Sequence, residues 1–348
     1  MDSLLATTIK GMQGDRAAWT ALSFYLVRAG LVRRIEPLGS GGGWSGSRLW
    51  RVECTDGRLL CLRRWPEGHP SAERLRFIHG VLARVWAKGP TIIPVPLPTD
   101  QDQTFVEFEG YFWELTPWLA GEADFHRHPT PGRLKAAMES LARFHDYAAL
   151  GDAPREQAPC LVDREAELVA LRRGQLAEIE TALRSGIRTE LDSRGQRIIV
   201  AARGRLADLE ALVRVAVRQK LPLQPAIRDI HHEHVLFEGD EVSGIIDFGA
   251  MRMDSPLTDV ARLVGSLIGD DVESRRLALD AYAAMRPLTD ADRQLIDLLD
   301  ESGLVLGGLH WLKWLYVERR EMGEQTPIIR RLDELLTRLE GRVPRLVF

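Results

Sequence analysis

Lysine is nearly missing from this chain. Of its 46 basic residues only five are lysine, at positions 10, 88, 135, 220 and 313, so tasks that usually fall to an ammonium must be met by arginine. Cysteine is sparse as well. Cys54, Cys61 and Cys160 form an odd set without metal-ligand spacing, which gives no basis for a disulfide framework and points to a reducing, cytoplasmic setting. There is no excess of positive charge: 46 Lys and Arg stand against 50 Asp and Glu, for a net charge of −4, so the global footprint of a nucleic-acid binder is lacking. Apolar runs stop well short of the roughly 18 to 20 residues that span a bilayer. The segment Met1 to Gly14 has no charged start followed by a long apolar stretch, so no signal peptide is expected. Neither a nucleic-acid nor a membrane partner is expected, and oligomeric state is not readable.

What is present is length and apolar content. With 348 residues and a 45% apolar share, two packed domains or lobes are expected. From Asp15 to Gly30, Trp19, Leu22, Tyr25, Leu26 and Ala29 recur at helical spacing, so residues 1–30 read as a leading helical segment. Short β-like runs follow at Arg33–Leu38, Ser47–Cys54 and Leu59–Arg64, then a helix opened by Pro70-Ser71 and stopped at Lys88-Gly89-Pro90. Two more β-like segments, Thr104–Glu109 and Gly110–Leu119, meet at a tight turn. Residues 31–119 thus read as a five-stranded sheet with one helix. Residues 120–348 read as mostly helical, with helices at Arg133–Leu150, Leu257–Leu267, Asp290–Leu299, Leu304–Arg320 and Ile328–Leu339 and a β-like island at Val235–Phe248.

That island carries the chemistry. Arg228-Asp229 ends a loop before the apolar run Val235–Phe237, and Asp247-Phe248-Gly249 follows a second run eighteen positions after the first aspartate. A hairpin between them would turn two carboxylates toward one site, one to accept a hydroxyl proton and one to hold a magnesium ion that bridges phosphate oxygens. A chance Asp-Phe-Gly in a chain of this length has odds on the order of one in twenty, so the joint pattern is what matters. Upstream, Gly39-Ser40-Gly41-Gly42-Gly43-Trp44-Ser45-Gly46 joins the first two strands, where glycines let the backbone approach phosphates and offer free N–H donors. The third strand ends in Leu62-Arg63-Arg64, a cation within reach of the same phosphates, and Glu73 on the next helix could pair with it. His231-His232-Glu233-His234 lacks the spacing of a zinc hydrolase. His145, late in its helix, reads as a core histidine.

These residues resemble the aminoglycoside phosphotransferase and choline-kinase-like family, whose fold is similar to that of protein kinases. The resemblance runs from about Leu31 to Leu267. It implies an α+β, protein-kinase-like two-lobe fold, with an antiparallel N-lobe sheet and a mostly helical C-lobe. By this likeness Asp229 is the catalytic-loop aspartate, and Asp247 the magnesium-binding one. Gly41, Gly42, Gly43 and Ser45 position the nucleotide, Arg63 contacts phosphate and Glu73 is its helix partner. Backbone groups near Glu114 and Thr116 meet adenine, and Asp259 braces the catalytic loop.

The implied activity is ATP-dependent transfer of the γ-phosphate to a hydroxyl of a small molecule, with Mg2+ or Mn2+. Three positions depart from the family pattern. Ile227 and Arg228 precede Asp229 where His-Gly is usual, His234 stands where a metal-binding Asn is usual, and Arg63 stands where Lys is commonest. Imidazole is a poor magnesium ligand, so His234 would join Asp247 at the metal through water or serve manganese. The alternative reading is a catalytically weak nucleotide-binding module that keeps the fold. Acidic residues at Asp254, Asp270, Asp271 and Glu273 are candidates for lining a cationic acceptor's pocket, or for plain helix-end charges.

Overall fold

The computed structural model describes residues 16–39, 46–89, 92–184, 189–320 and 325–341. The chain divides into two units, residues 1–121 with 243–249, and residues 122–242 with 250–348. In the first, the leading segment breaks into α1 (Arg16–Ser23) and α2 (Leu26–Ala29). The break seats Tyr25 in the interior, where its hydroxyl donates to the Trp113 carbonyl oxygen at 3.0 Å.

The strands β1 (Val32–Gly39), β2 (Arg48–Cys54) and β3 (Leu59–Arg64), the helix α3 (Ala72–Ala87), and the strands β4 (Val106–Phe108) and β5 (Tyr111–Pro117) follow. All strand pairs are antiparallel, in the order β1-β2-β3-β5-β4. Period-two alternation puts Trp50, Val52, Leu60, Leu62, Trp113 and Leu115 in one core with Ala18, Ala21, Leu22 and Tyr25 of the leading helices. Each such large apolar side chain contributes about 1.5–3 kcal/mol on burial. The predicted tight turn is present, with positive φ at both Glu109 and Gly110, the combination that a two-residue hairpin needs.

Ser71 caps α3 by accepting the Arg74 N–H, and Leu75, Ile78, Val81, Leu82 and Val85 form its buried stripe. His79 sits on that stripe, and Glu73 is exposed on the first turn.

The second unit is mostly helical. Its α4 (Pro131–Ala148) starts on Thr130, whose hydroxyl accepts the Arg133 N–H, with Pro131 at the first position. Then come β6 (Arg155–Gln157), α5 (Pro159–Ala170), α6 (Leu176–Arg184), α7 (Glu190–Arg203), α8 (Leu206–Val217), β7 (Lys220–Pro222) and β8 (Gln224–Ala226). The polar stretch after Cys160 is thus several helices, broken at Gly174, whose φ of 144° no helix admits. After a one-turn helix at His232–His234 run β9 (Val235–Glu238) and β10 (Glu241–Ile245), joined by a turn at Gly239; from Ser243 the chain belongs to the first unit.

The return gives β11 (Arg252–Asp254), paired with β8, then α9 (Leu257–Ile268), α10 (Val272–Ala283), α11 (Asp290–Leu312) and α12 (Gln325–Gly341). The two helices expected at Asp290–Leu299 and Leu304–Arg320 are one helix through Leu312, ending in a wide turn to Val317. The Ser302 hydroxyl is satisfied inside the helix by the Leu298 carbonyl, so the Ser-Gly pair does not break it. A Cβ on Gly308 would stand 2.9 Å from Ile198 Cγ2, so glycine there lets α11 approach α7. Among the described residues, no helix is long and apolar enough to cross a membrane.

Candidate active site

The chemistry-bearing residues fall in two sets, one in each unit. In the first unit the set is built on the β3–β5 ladder, where Arg63 lies directly opposite Glu114. The Arg63 guanidinium stands 3.2 Å from Asp247 Oδ1 and 3.9 Å from Glu114 Oε1, and lies over the Trp65 ring at 4.5 Å. Glu114 is held from its other side by His79 Nε2 at 2.9 Å, and His79 Nδ1 meets the Thr104 hydroxyl at 2.7 Å. Because a carboxylate only accepts, Nε2 is the donor.

Burial alone would lower the arginine's pKa and raise the glutamate's. The negative charges of Asp247 and Glu114 outweigh burial and raise Arg63, while His79 and Arg63 outweigh it and depress Glu114. The result is a largely buried cation flanked by two carboxylates.

Asp247 has φ +63°, a left-handed conformation that costs an aspartate energy and is found where the surrounding structure demands it. Its neighbour Gly249 has no room for a side chain, since a Cβ would stand 2.9 Å from the Trp65 ring. The end of β10 is pinned by the Ile245 N–H donating to the Ile92 carbonyl at 2.7 Å.

This set corrects one expectation. Glu73 is not the carboxylate beside Arg63; the structure gives that place to Glu114, whose side chain points inward. Glu114 and Thr116 lie in the β3 ladder, opposite Arg63 and Cys61. Gly41, Gly42, Gly43 and Ser45 lie outside the described residues.

In the second unit Asp229 follows β8, and α9 holds its loop from one face. Asp259, Arg262 and Ser266 are spaced three and four apart and so share a side of that helix. Asp259 is fully buried and accepts the N–H groups of Ile227 and Arg228, both at 2.6 Å. Arg262 pairs with the Asp229 carboxylate. The Ser266 hydroxyl accepts the His232 N–H at 2.9 Å.

His145 donates from Nε2 to Asp259 at 3.0 Å, and its Nδ1 meets the Tyr282 hydroxyl at 2.9 Å. Burial holds His145 below the usual histidine range, so the ring is neutral and the tyrosine is the donor. Arg228, at φ +68°, carries a second anchor, an ion pair at 3.0 Å with the wholly buried Asp254. His234 Nδ1 donates to the Asp229 carbonyl oxygen at 2.8 Å, bracing the loop from its far end.

Sequence reasoning missed His79, the inward side chain of Glu114, Arg262 and the His145–Asp259 link. The available signals were a histidine on an apolar helix stripe and the three-and-four spacing from Asp259.

A metal fits this chemistry in one way. Asp247 offers a hard carboxylate donor, and magnesium carried with a nucleotide needs one or two carboxylates, the rest of its shell being phosphate oxygens and water. Among the described residues, no cluster of three or more His, Cys, Asp or Glu could hold a metal ion by itself.

Residues 35–310 match the model of the phosphotransferase enzyme family (APH), and the chain belongs to that family. It is 26% identical over 233 residues to a homoserine kinase of Agrobacterium fabrum, covering 66% of this chain and 65% of that protein. It is 29% identical over 226 residues to a homoserine kinase of Methylobacillus flagellatus, covering 63% and 62%. Both alignments reach less than two thirds of the relatives' own length.

Among solved structures, an aminoglycoside phosphotransferase from Alicyclobacillus acidocaldarius superposes with a TM-score of 0.65 at 15% identity, covering 95% of this chain and 96% of that one. A spectinomycin phosphotransferase in complex with ADP and spectinomycin gives a TM-score of 0.66 at 11% identity, covering 95% and 98%. At these identities the likeness shows the fold, the protein-kinase-like one: an antiparallel N-terminal sheet followed by a mostly helical remainder.

Proposed function

We propose that the protein is an ATP-dependent phosphotransferase that moves the γ-phosphate to a hydroxyl of a small molecule in the cytoplasm. The observation that carries this reading is the Asp229 loop. Its backbone is tied at Ile227, Arg228, Asp229 and His232, an investment of buried polar contacts that holds one exposed carboxylate still. In-line phosphoryl transfer depends on such positioning, because the protein has little covalent chemistry to perform.

In this reading Asp229 orients the acceptor hydroxyl and takes its proton. Arg63 and the glycine loop hold the triphosphate. Asp247 holds magnesium, which when bound neutralises charge on the phosphate oxygens, and Glu114 and His79 keep Arg63 in place. The tie from His234 to the Asp229 carbonyl favours a bracing role over a primary metal ligand. The same ties favour catalysis over a retired nucleotide-binding module, which has no use for a rigid loop at that aspartate.

The test is ADP release by the purified chain with ATP, magnesium and a panel of hydroxyl acceptors, homoserine first. Asp229→Asn is expected to lower kcat by about 10²- to 10⁴-fold. Asp247→Ala is expected to abolish metal-dependent binding of a non-hydrolysable ATP analogue in calorimetry. Near-normal turnover in Asp229→Asn would refute the assignment of roles.

A further inference from the structure

The arrangement of Arg262 is not explained by bracing of the loop backbone. It projects from α9, one turn beyond Asp259, and pairs with the side chain of Asp229. Both side chains are open to solvent, 46% exposed for Asp229 and 43% for Arg262. An exposed ion pair of this kind contributes little to stability. It also occupies the carboxylate that must receive an acceptor's hydroxyl, so an incoming acceptor has to separate the pair.

The surrounding charges decide what kind of acceptor can do so. Of the four carboxylates that could line a cationic pocket, Asp254, Asp270 and Asp271 are engaged elsewhere, and Glu273 is exposed on the first turn of α10. Asp254 is buried against Arg228, Asp270 pairs with Arg338 at 3.5 Å, and Asp271 caps α10 by accepting the Ser274 N–H at 2.7 Å. Asp163 pairs with Arg228 and Arg252, and Glu233 faces His231 at 3.8 Å and Arg330 at 4.0 Å. On the positive side, the His231 ring packs against His234 with centroids 3.8 Å apart and the planes tilted by 39°. An ammonium-bearing acceptor brought to Asp229 would meet Arg262 as a like charge.

We propose that the acceptor is a small hydroxy acid and that Arg262 reads its carboxylate. The guanidinium passes from the Asp229 carboxylate to the acceptor's, which it can hold with two parallel N–H groups, and Asp229 is released to accept the hydroxyl. The contact between Arg262 and Asp229 sets the size: hydroxyl and carboxylate must be separated by a short carbon chain. The transfer then balances as follows. The acceptor oxygen bonds to the γ-phosphorus as the bond from that phosphorus to the bridging oxygen breaks. The hydroxyl proton goes to Asp229, and ADP leaves with the electron pair.

The inference rests on the phosphotransferase reading, and its test separates the two. Binding of 4-hydroxybutyrate, of 4-hydroxybutyramide, which lacks the carboxylate, and of ethanolamine is measured by calorimetry on the full chain, and phosphorylation of each is measured with ATP and magnesium. The acid is expected to exceed its amide in affinity and in kcat/KM by on the order of 10- to 100-fold. In Arg262→Gln that ratio is expected to collapse toward one, with partial recovery in Arg262→Lys. A merely structural role would lower acid and amide alike, and that result overturns the proposal, as does preference for ethanolamine or the amide. Phosphorylation of cationic acceptors alone would sink this inference and leave the kinase reading standing. Acid-selective binding that Arg262→Gln removes, without phosphoryl transfer, would sink the kinase reading and support the carboxylate site.

Discussion

Replacing Asp259 by alanine is the sharpest test of how the catalytic loop is held. The carboxylate has no solvent exposure and accepts three bonds, from the N–H groups of Ile227 and Arg228 at 2.6 Å and from His145 Nε2 at 3.0 Å. Its removal leaves three buried donors without that acceptor. Each orphaned donor costs about 1–3 kcal/mol, so a simple sum lies at about 3–9 kcal/mol. Partial collapse and shared relaxation make the effects less than additive, and about 4 kcal/mol is the expected loss.

Domains of 150–250 residues lose about 2–4 °C of Tm per kcal/mol, and a larger unfolding unit loses less per kcal/mol, so a drop of about 8 °C is expected. Differential scanning calorimetry is the assay, since the two units can unfold in separate transitions and the shift belongs to the one that contains the second unit. Asp259→Asn keeps one acceptor oxygen but turns an amide NH2 toward a donor, so about half the loss is expected. Because Asp229 follows Arg228 directly, a misplacement of about 1 Å would cost on the order of 100-fold in kcat/KM. A variant Asp259→Ala that unfolds within 2 °C of the parent and keeps its kcat/KM within threefold would refute the bracing argument; both thresholds are about the resolution of such comparisons.

Two further outcomes follow from the buried groups. Glu114→Gln is expected to weaken binding of a non-hydrolysable ATP analogue by about 10-fold, since Arg63 would keep its pairing with Asp247 and be drawn toward it, whereas Glu73→Gln should change binding less than about twofold; equal effects would restore Glu73 as the partner. The second outcome concerns pH. His145 is depressed by burial, so above about pH 6.5 neither folded nor unfolded chain protonates it, and below that the unfolded chain takes a proton that the native state refuses. Stability is therefore full above about pH 6.5 and falls as the pH drops below it, by up to about 1.4 kcal/mol per pH unit for each such histidine. His232, pushed down to about 3 by burial, adds to the same slope. Tm measured between pH 8 and pH 4.5 reads the effect, and a slope unchanged in His145→Gln would rule His145 out as a contributor.

The two units differed in how far they could be read from the chain. The first unit's strands were legible because their alternation is regular and their turns carry glycine, as at Glu109-Gly110. The three-residue strands β6, β7, β8 and β11 were not, because three residues carry no period. The partner of Arg63 was misassigned for a related reason. Glu114 meets it through the register of β3 with β5, strands that α3 and β4 separate in the chain, and no local pattern states that register. Glu73 and His79 lie six residues apart on α3, one and two-thirds turns at about 3.6 residues per turn, so they cannot share a face, and the buried stripe chose the histidine.

The departures at Ile227 and His234 take on a different meaning once these contacts are known. A loop histidine before the catalytic aspartate could brace the turn from within it, and its replacement by a buried isoleucine would look like a lost support. Here the support comes from outside the loop. Asp259 takes the two N–H groups, His145 and Tyr282 hold Asp259, and Arg228 reaches the buried Asp254. His234, in the place of an asparagine, ties back to the Asp229 carbonyl. What a sequence motif records is one way to fix a backbone; the physical requirement is that buried donors find acceptors and that the one exposed carboxylate stays put. This chain meets that requirement with histidine, aspartate and tyrosine drawn from α4, α9, α10 and β11. The departures from the motif therefore argue for an altered support of the loop, supplied from outside it.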